Sequence, residues 1–290
     1  MRLSARSIRI IDERILYISK CIPNTFARRC RPTSEVMYYK YTELRQILLY
    51  SGKVIFRDLM ASDAQYNNFL KYSVACTLLV DPETAQTFAD LHHLLLREVV
   101  DEFSSIYAQA FMTYNAHVNL HLSDMANFHG SLDEISAYPF ENHLRILKNC
   151  VTTSHNPLTQ MVKGVERRRA VENGIQLCTP LQKIHTKEPN NVYIDHRRHI
   201  CYEAQSQSQD SVKCVQHTET RPYFEEPIDS KIIGCYQVSL NRGTIVYLSV
   251  EHLLGLRRGM KINLRDMPQG CIANNAVIMA LLHNQQDSLF

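Results

Sequence analysis

The chain has 290 residues, 45% hydrophobic and 21% charged, with a net charge of +3. This is the profile of a globular protein of one large or two modest domains, and its bulk charge points to no partner; a nucleic-acid binder of this balance must gather Lys and Arg on one face. Nine glycines, with no Gly-x-x-x-x-Gly-Lys and no Gly-x-Ser-x-Gly, argue against phosphate-loop nucleotide chemistry and triad hydrolysis.

The first twenty residues carry Arg9, Asp12, Glu13 and Arg14 before an apolar core for a signal peptide can form. No run reaches the length of a membrane-spanning helix. The nine cysteines include no Cys-x-x-Cys pair, which reads as reduced, mostly buried thiols. A soluble, intracellular chain without a membrane partner is expected.

Residues 1–60 read as mixed helix and turn. Pro23 and Pro32 bracket the basic stretch Phe26-Ala27-Arg28-Arg29-Cys30-Arg31. A helix is expected from Thr33 or Ser34, with Glu35 in its first turn, Gly52 just past its end, and a face of Val36, Tyr39, Leu44, Ile47 and Leu48. A second helix covers 64–80, where Tyr66, Phe69, Leu70, Ser73 and Cys76 recur at helical spacing; Asp81-Pro82 ends it and starts the next. Residues 83–110 give the strongest helix signal, with a stripe of Phe88, Leu91, Leu95, Val99, Phe103 and Ile106. Shorter helices follow near 114–122 and 139–151.

Past about 175 the pattern changes. Residues 179–189 lack an apolar period and read as a linker. Short alternating runs then predict strands at 191–194, 199–204, 211–217, 232–240, 244–250 and 260–264, with Asn241-Arg242-Gly243 as a hairpin loop between two of them. The expected fold class is α+β: a mainly helical part, 1–178, and a small antiparallel β-domain, 190–290.

Residues 113–172 carry His117, His121-Leu122, Gly130-Ser131-Leu132, Tyr138-Pro139-Phe140-Glu141, Lys148, Pro157, Gln160 and Glu172. In this order they resemble the region that follows the catalytic Asp-bearing part of CACTA-type (En/Spm, Mirage, Chapaev) DDE transposases. Upstream, Pro23, Phe26, Arg28, Arg29, Lys40, Thr42, Glu43, Arg45, Leu48, Leu49 and Tyr50 are similar to the animal members. The resemblance implies the C-terminal portion of a split RNase H-like domain, a nuclear location and DNA transposition in complete relatives. There, three carboxylates hold paired Mg2+ ions that stabilise the attacking and leaving oxygens. The family's first two aspartates lie on strand ends, and no β-rich run ending in Asp precedes residue 60. A transposase-derived piece, catalytically incomplete and bound to DNA or to a protein partner or second copy, is the expectation. The alternatives are a stand-alone metal-dependent nuclease, drawing two further acids from Asp124, Asp133, Glu134 or the early chain, and a purely structural interaction module.

Glu141 is the candidate third carboxylate by resemblance; equally, an acidic residue in a first helical turn simply favours the positive helix end. Arg28, Arg29 and Arg31, with Arg167, Arg168 and Arg169, are candidates for gripping phosphates, or for a solvated face paired with Glu166 and Glu172. His117 and His121 share a helix face, as zinc ligands or as packing histidines. His199, Cys201, Cys214 and His217 have the ligand types for zinc if a hairpin through residues 206–210 unites them, or are ordinary strand residues.

Overall fold

The computed structural model describes residues 3–174, 183–269 and 274–282. The start of the expected linker, 179–182, lies outside them, as do the side chains of Pro139 and Glu172.

Helix α1, Ala5–Cys21, starts where Ser4 accepts a hydrogen bond from the Ser7 amide, and buries Ile10, Ile11, Ile15 and Ile18. Arg14 lies in that same stripe, buried, with its guanidinium donating to the carbonyls of Val54, Ile55, Arg57, Pro268 and Gln269 at 2.8–3.3 Å. The single helix expected from Thr33 is instead a 3-10 turn, Thr33–Tyr38, then α2, Tyr41–Gln46, a π-turn, Ile47–Ser51, and α3, Gly52–Ile55. The break has a local cause: Glu43 accepts from the Lys40 amide at 2.8 Å, which starts a new helix there. Val36 and Leu44, expected on the buried face, are 53% and 52% exposed. Gly52 does not end the helix; a Cβ there would lie 2.6 Å from the Phe69 ring, so the glycine permits close packing.

Helix α4, Asp63–Val80, is capped by Ser62 and buries every residue from Ser73 to Val80. Asp81 then caps α5, Pro82–Thr87, accepting from the amides of Glu83 and Thr84. In α6, Ala89–Tyr107, the expected stripe is joined by buried His92, Leu96 and Val100. Short helices α7, Tyr114–His117, and α8, Leu122–His129, follow, then α9, Tyr138–Asn149, and α10, Pro157–Gly174.

The strands are β1, Val192–Asp195; β2, Ile200–Gln207; β3, Ser211–His217; β4, Thr220–Pro222; β5, Cys235–Ser239; and β6, Thr244–Ser249. After helix α11, Val250–Leu254, come β7, Arg257–Asn263, and β8, Asn275–Ala280. They form one antiparallel sheet in the order β4-β5-β8-β7-β1-β2-β3-β6, so the architecture is α+β. Several details differ from expectation. β4 falls in none of the expected runs, and Ser230–Ile233 is a 3-10 turn where the run 232–240 begins. β5 and β6 lie far apart in the sheet, so Asn241-Arg242-Gly243 belongs to a crossover and not to a hairpin. β8 was not foreseen because its residues from Ala276 to Ala280 are all buried, and a strand covered on both faces loses alternation.

Met260, Ile262, Val277, Met279 and Cys235 pack from one sheet face into the same core as the isoleucines of α1 and the apolar residues of α4 and α6. The opposite face gathers Val192, Ile194, Cys201, Tyr236, Val238 and Ile278. The first compact unit therefore joins the chain up to Glu134 with the sheet from Ile184 onward, and the second begins at Ile135 and runs to Lys183. This grouping cuts across the expected border between a helical part and a β-domain, because the sheet needs the helices to cover its apolar face. Among the described residues no helix is long and apolar enough to cross a membrane.

Candidate functional site

The two arginine clusters separate into held and unheld members. Arg28 and Arg29 are exposed in the loop after α1 and have no hydrogen-bond or ion-pair partner among the described residues. Arg31 is committed to structure. Its guanidinium makes two 2.9 Å bonds to the Glu43 carboxylate, one of 3.2 Å to Glu35, and donates to the Tyr38 carbonyl. Those hydrogen bonds, with that of the Lys40 amide, hold the Glu43 carboxyl down at about 2 against the opposing effect of burial. On α10, Arg167 and Arg169 are exposed and unpartnered among the described residues, whereas Arg168 has an interaction of its own. Three consecutive helical residues fan over about 200° of circumference, so this run does not present one flat basic face.

Glu141 lies exposed in the first turn of α9, its amide donating to the Ala137 carbonyl at 3.0 Å. Within the same unit Gln160 closes the loop between α9 and α10. Its carbonyl oxygen accepts from the Thr152 amide at 2.9 Å and its amide donates to the Thr153 carbonyl at 3.0 Å. Gly164 lets α10 approach α9, since a Cβ there would lie 2.4 Å from Cys150 Sγ. Among the other acids considered, Asp133 receives two 2.7 Å bonds from Arg45, and Glu134 accepts from the Ser131 amide at 2.8 Å. The Arg45–Asp133 pair joins residues 88 apart in the chain. Long-range pairing of this kind leaves no periodic trace, so sequence reasoning missed it.

The four proposed zinc ligands do not converge. Cys201 pairs directly with His217 across β2 and β3, while Cys214 stands opposite Ala204. Cys214 and His217 are three residues apart on a strand, which places them on opposite faces. Cys201 and Cys214 accordingly sit in different apolar clusters. Burial pushes the Cys201 thiol up, and that of Cys214 up to about 11, the reverse of what a thiolate ligand needs. His199 sits off the strand with φ 54, its ring near the Tyr236 hydroxyl. His217 is buried against Glu203 at 2.9 Å, and Glu203 in turn binds Lys261 at 2.6 Å. His117 and His121 do lie side by side, rings 5.9 Å apart and tilted by 44°, but both are exposed. Among the described residues no group of three or more His, Cys, Asp or Glu is arranged to hold a metal ion.

No protein-family model, no curated protein and no solved structure matches the chain.

Proposed function

We propose that this chain is a transposase-derived, nucleic-acid-binding protein related to the CACTA-type DDE transposases, which grips DNA through its phosphates and does not cut it alone. The observation that carries the binding half is that Arg28, Arg29, Arg167 and Arg169 are exposed and have no partner among the described residues. Unheld arginines are free to bind phosphate oxygens with their two-pronged fork, and each contact releases counterions. The relation itself rests on the ordered residues from His117 to Glu172; an RNase H-like ancestry and a nuclear location follow from that resemblance. The residues present do not fit the paired Mg2+ ions of complete relatives, because Glu141 stands in solvent and Asp133 and Glu134 are tied to Arg45 and Ser131. A protein partner or second copy is supported by the apolar side chains left uncovered on α9 and α10, among them Phe140, Leu144 and Leu158.

The test is a salt titration of binding to two unrelated duplexes. Replacing Arg28 and Arg29, or Arg167 and Arg169, by Ala is expected to weaken both duplexes alike and to reduce the logarithmic salt slope by about 0.9 per lost contact. Binding that ignores salt, or survives both replacements unchanged, removes DNA from the account. Incubation with Mg2+ or Mn2+ should leave duplexes intact; nicking that disappears in Glu141→Gln would establish the nuclease instead.

A further inference from the structure

The sheet face that sends Cys235 and Val277 into the main core changes character toward the far ends of the same strands. Arg221 on β4 stands opposite Gln237 on β5, and Ser239 stands opposite Asn275 on β8. Alternation along the strands puts all four on the face of Cys235. Together with Glu219 and Arg242 they line a cavity of about 190 Å³. Arg242 is held at its rim by a 2.5 Å ion pair to Glu219. The side chains of Arg221, Gln237, Ser239 and Asn275 have no hydrogen-bond partner among the described residues.

Unengaged donors converging on one cavity are a recognition surface. Two guanidiniums facing one carboxylate leave a net positive charge, which selects an anion. The Arg221 fork matches a pair of anionic oxygens, and the Gln and Asn amides and the Ser hydroxyl add neutral donors around it. Arg, Ser, Asn and Gln are also the side chains that reach the phosphates of a nucleic acid. The volume falls short of the ~300 Å³ at which pockets begin to enclose whole drug-sized ligands, so the cavity suits a single group and not a nucleotide. We infer that this cavity is a phosphate-binding site, with Arg221 as its principal ligand-binding residue. The phosphate belongs either to a nucleic-acid backbone, which rests on the proposed DNA binding, or to a free phosphate ligand, which does not.

The full chain is titrated with inorganic phosphate, followed by 31P line broadening, and with a short duplex, followed by fluorescence anisotropy. Arg221→Ala, Arg221→Lys and the double variant Arg28→Ala/Arg29→Ala are compared with wild type after their thermal melting is shown to be unchanged. Arg221 is exposed on an edge strand, so its replacement is tolerable to the fold. Arg221→Ala is expected to weaken inorganic phosphate about tenfold or more, with Arg221→Lys in between. A parallel loss of duplex affinity in Arg221→Ala assigns the site to backbone phosphate; an unchanged duplex affinity assigns it to a free phosphate ligand. A wild type that takes no inorganic phosphate, or an Arg221→Ala variant that takes it equally well, overturns the site whatever the duplex does. Duplex binding that then still falls in the Arg28/Arg29 variant leaves the DNA reading standing without it.

Discussion

In the unit built from the first 134 residues and the sheet, α4 buries every side chain from Ser73 to Val80; in the segment that starts at Ile135, no described side chain of α9 or α10 is buried. The first arrangement is a core, in which apolar residues are removed from water by the helices and by both faces of the sheet. In the second, Phe140 and Leu158 are each 74% exposed, and the segment is shaped by a side-chain-locked loop at Gln160 and one close helix contact at Gly164.

The largest expected effect breaks or upholds that contrast directly. Leu78, fully buried in α4, should cost ~2–5 kcal/mol when replaced by Ala, while Leu144→Ala on α9 should stay within about 0.5 kcal/mol. Urea unfolding of the two variants decides it, and equal losses would mean that α9 is packed as a core helix in solution.

Next is the Arg31–Glu43 pair, which separates structural arginine from free arginine. Glu43→Gln should destabilise by ~1.5–3 kcal/mol at neutral pH. The folded state holds this carboxyl at about 2, below its unfolded value near ~4.3, so its contribution is complete above that value and disappears as pH falls through about 2. The gap between wild type and Glu43→Gln in urea midpoint should therefore close between pH ~4.3 and pH 2. A gap independent of pH would remove the charge from the explanation.

The smallest effect probes Lys53, the one buried ammonium among the described residues. Lys53 is enclosed in apolar surroundings and donates to the Leu49 carbonyl; burial pushes its pKa down to about 8. Between about 8 and its unfolded value near ~10.4 the unfolded chain binds more protons, so this residue's penalty shrinks as pH rises. Lys53→Met should raise stability at pH 7 by ~1–3 kcal/mol, and the advantage should decline through that window. Comparing the two proteins cancels the buried thiols and tyrosines, which titrate in the opposite sense.

Much of the fold was legible along the chain. Asp81-Pro82 marked a real helix boundary, the stripe from Leu91 to Ile106 lies on α6 although the helix expected over 83–110 breaks at Phe88, and most strands lie where short alternating runs were read. Misreadings followed from interactions that local pattern does not encode. Glu43 broke one expected helix into several pieces by bonding to Lys40 and Arg31, and β8 hid because both its faces are covered. In the candidate sites, exposure of Arg28 and Arg29 was readable from the polarity of their loop, but not the capture of neighbouring Arg31 by a glutamate twelve residues away. Arg221 belongs to no basic run and Arg242 reads only as part of a loop; strand pairing alone sets Arg221, Gln237, Ser239 and Asn275 side by side.

By itself the sequence determined most of the elements, since turn residues, caps and apolar periods act over a few residues. Only the tertiary structure decided that the sheet shares its core with the N-terminal helices, that Cys201 and Cys214 face opposite ways, and which arginines stay free. Those outcomes depend on side chains far apart in the chain competing for the same partners, and a carboxylate or an apolar face already taken in space is not marked as taken in the sequence.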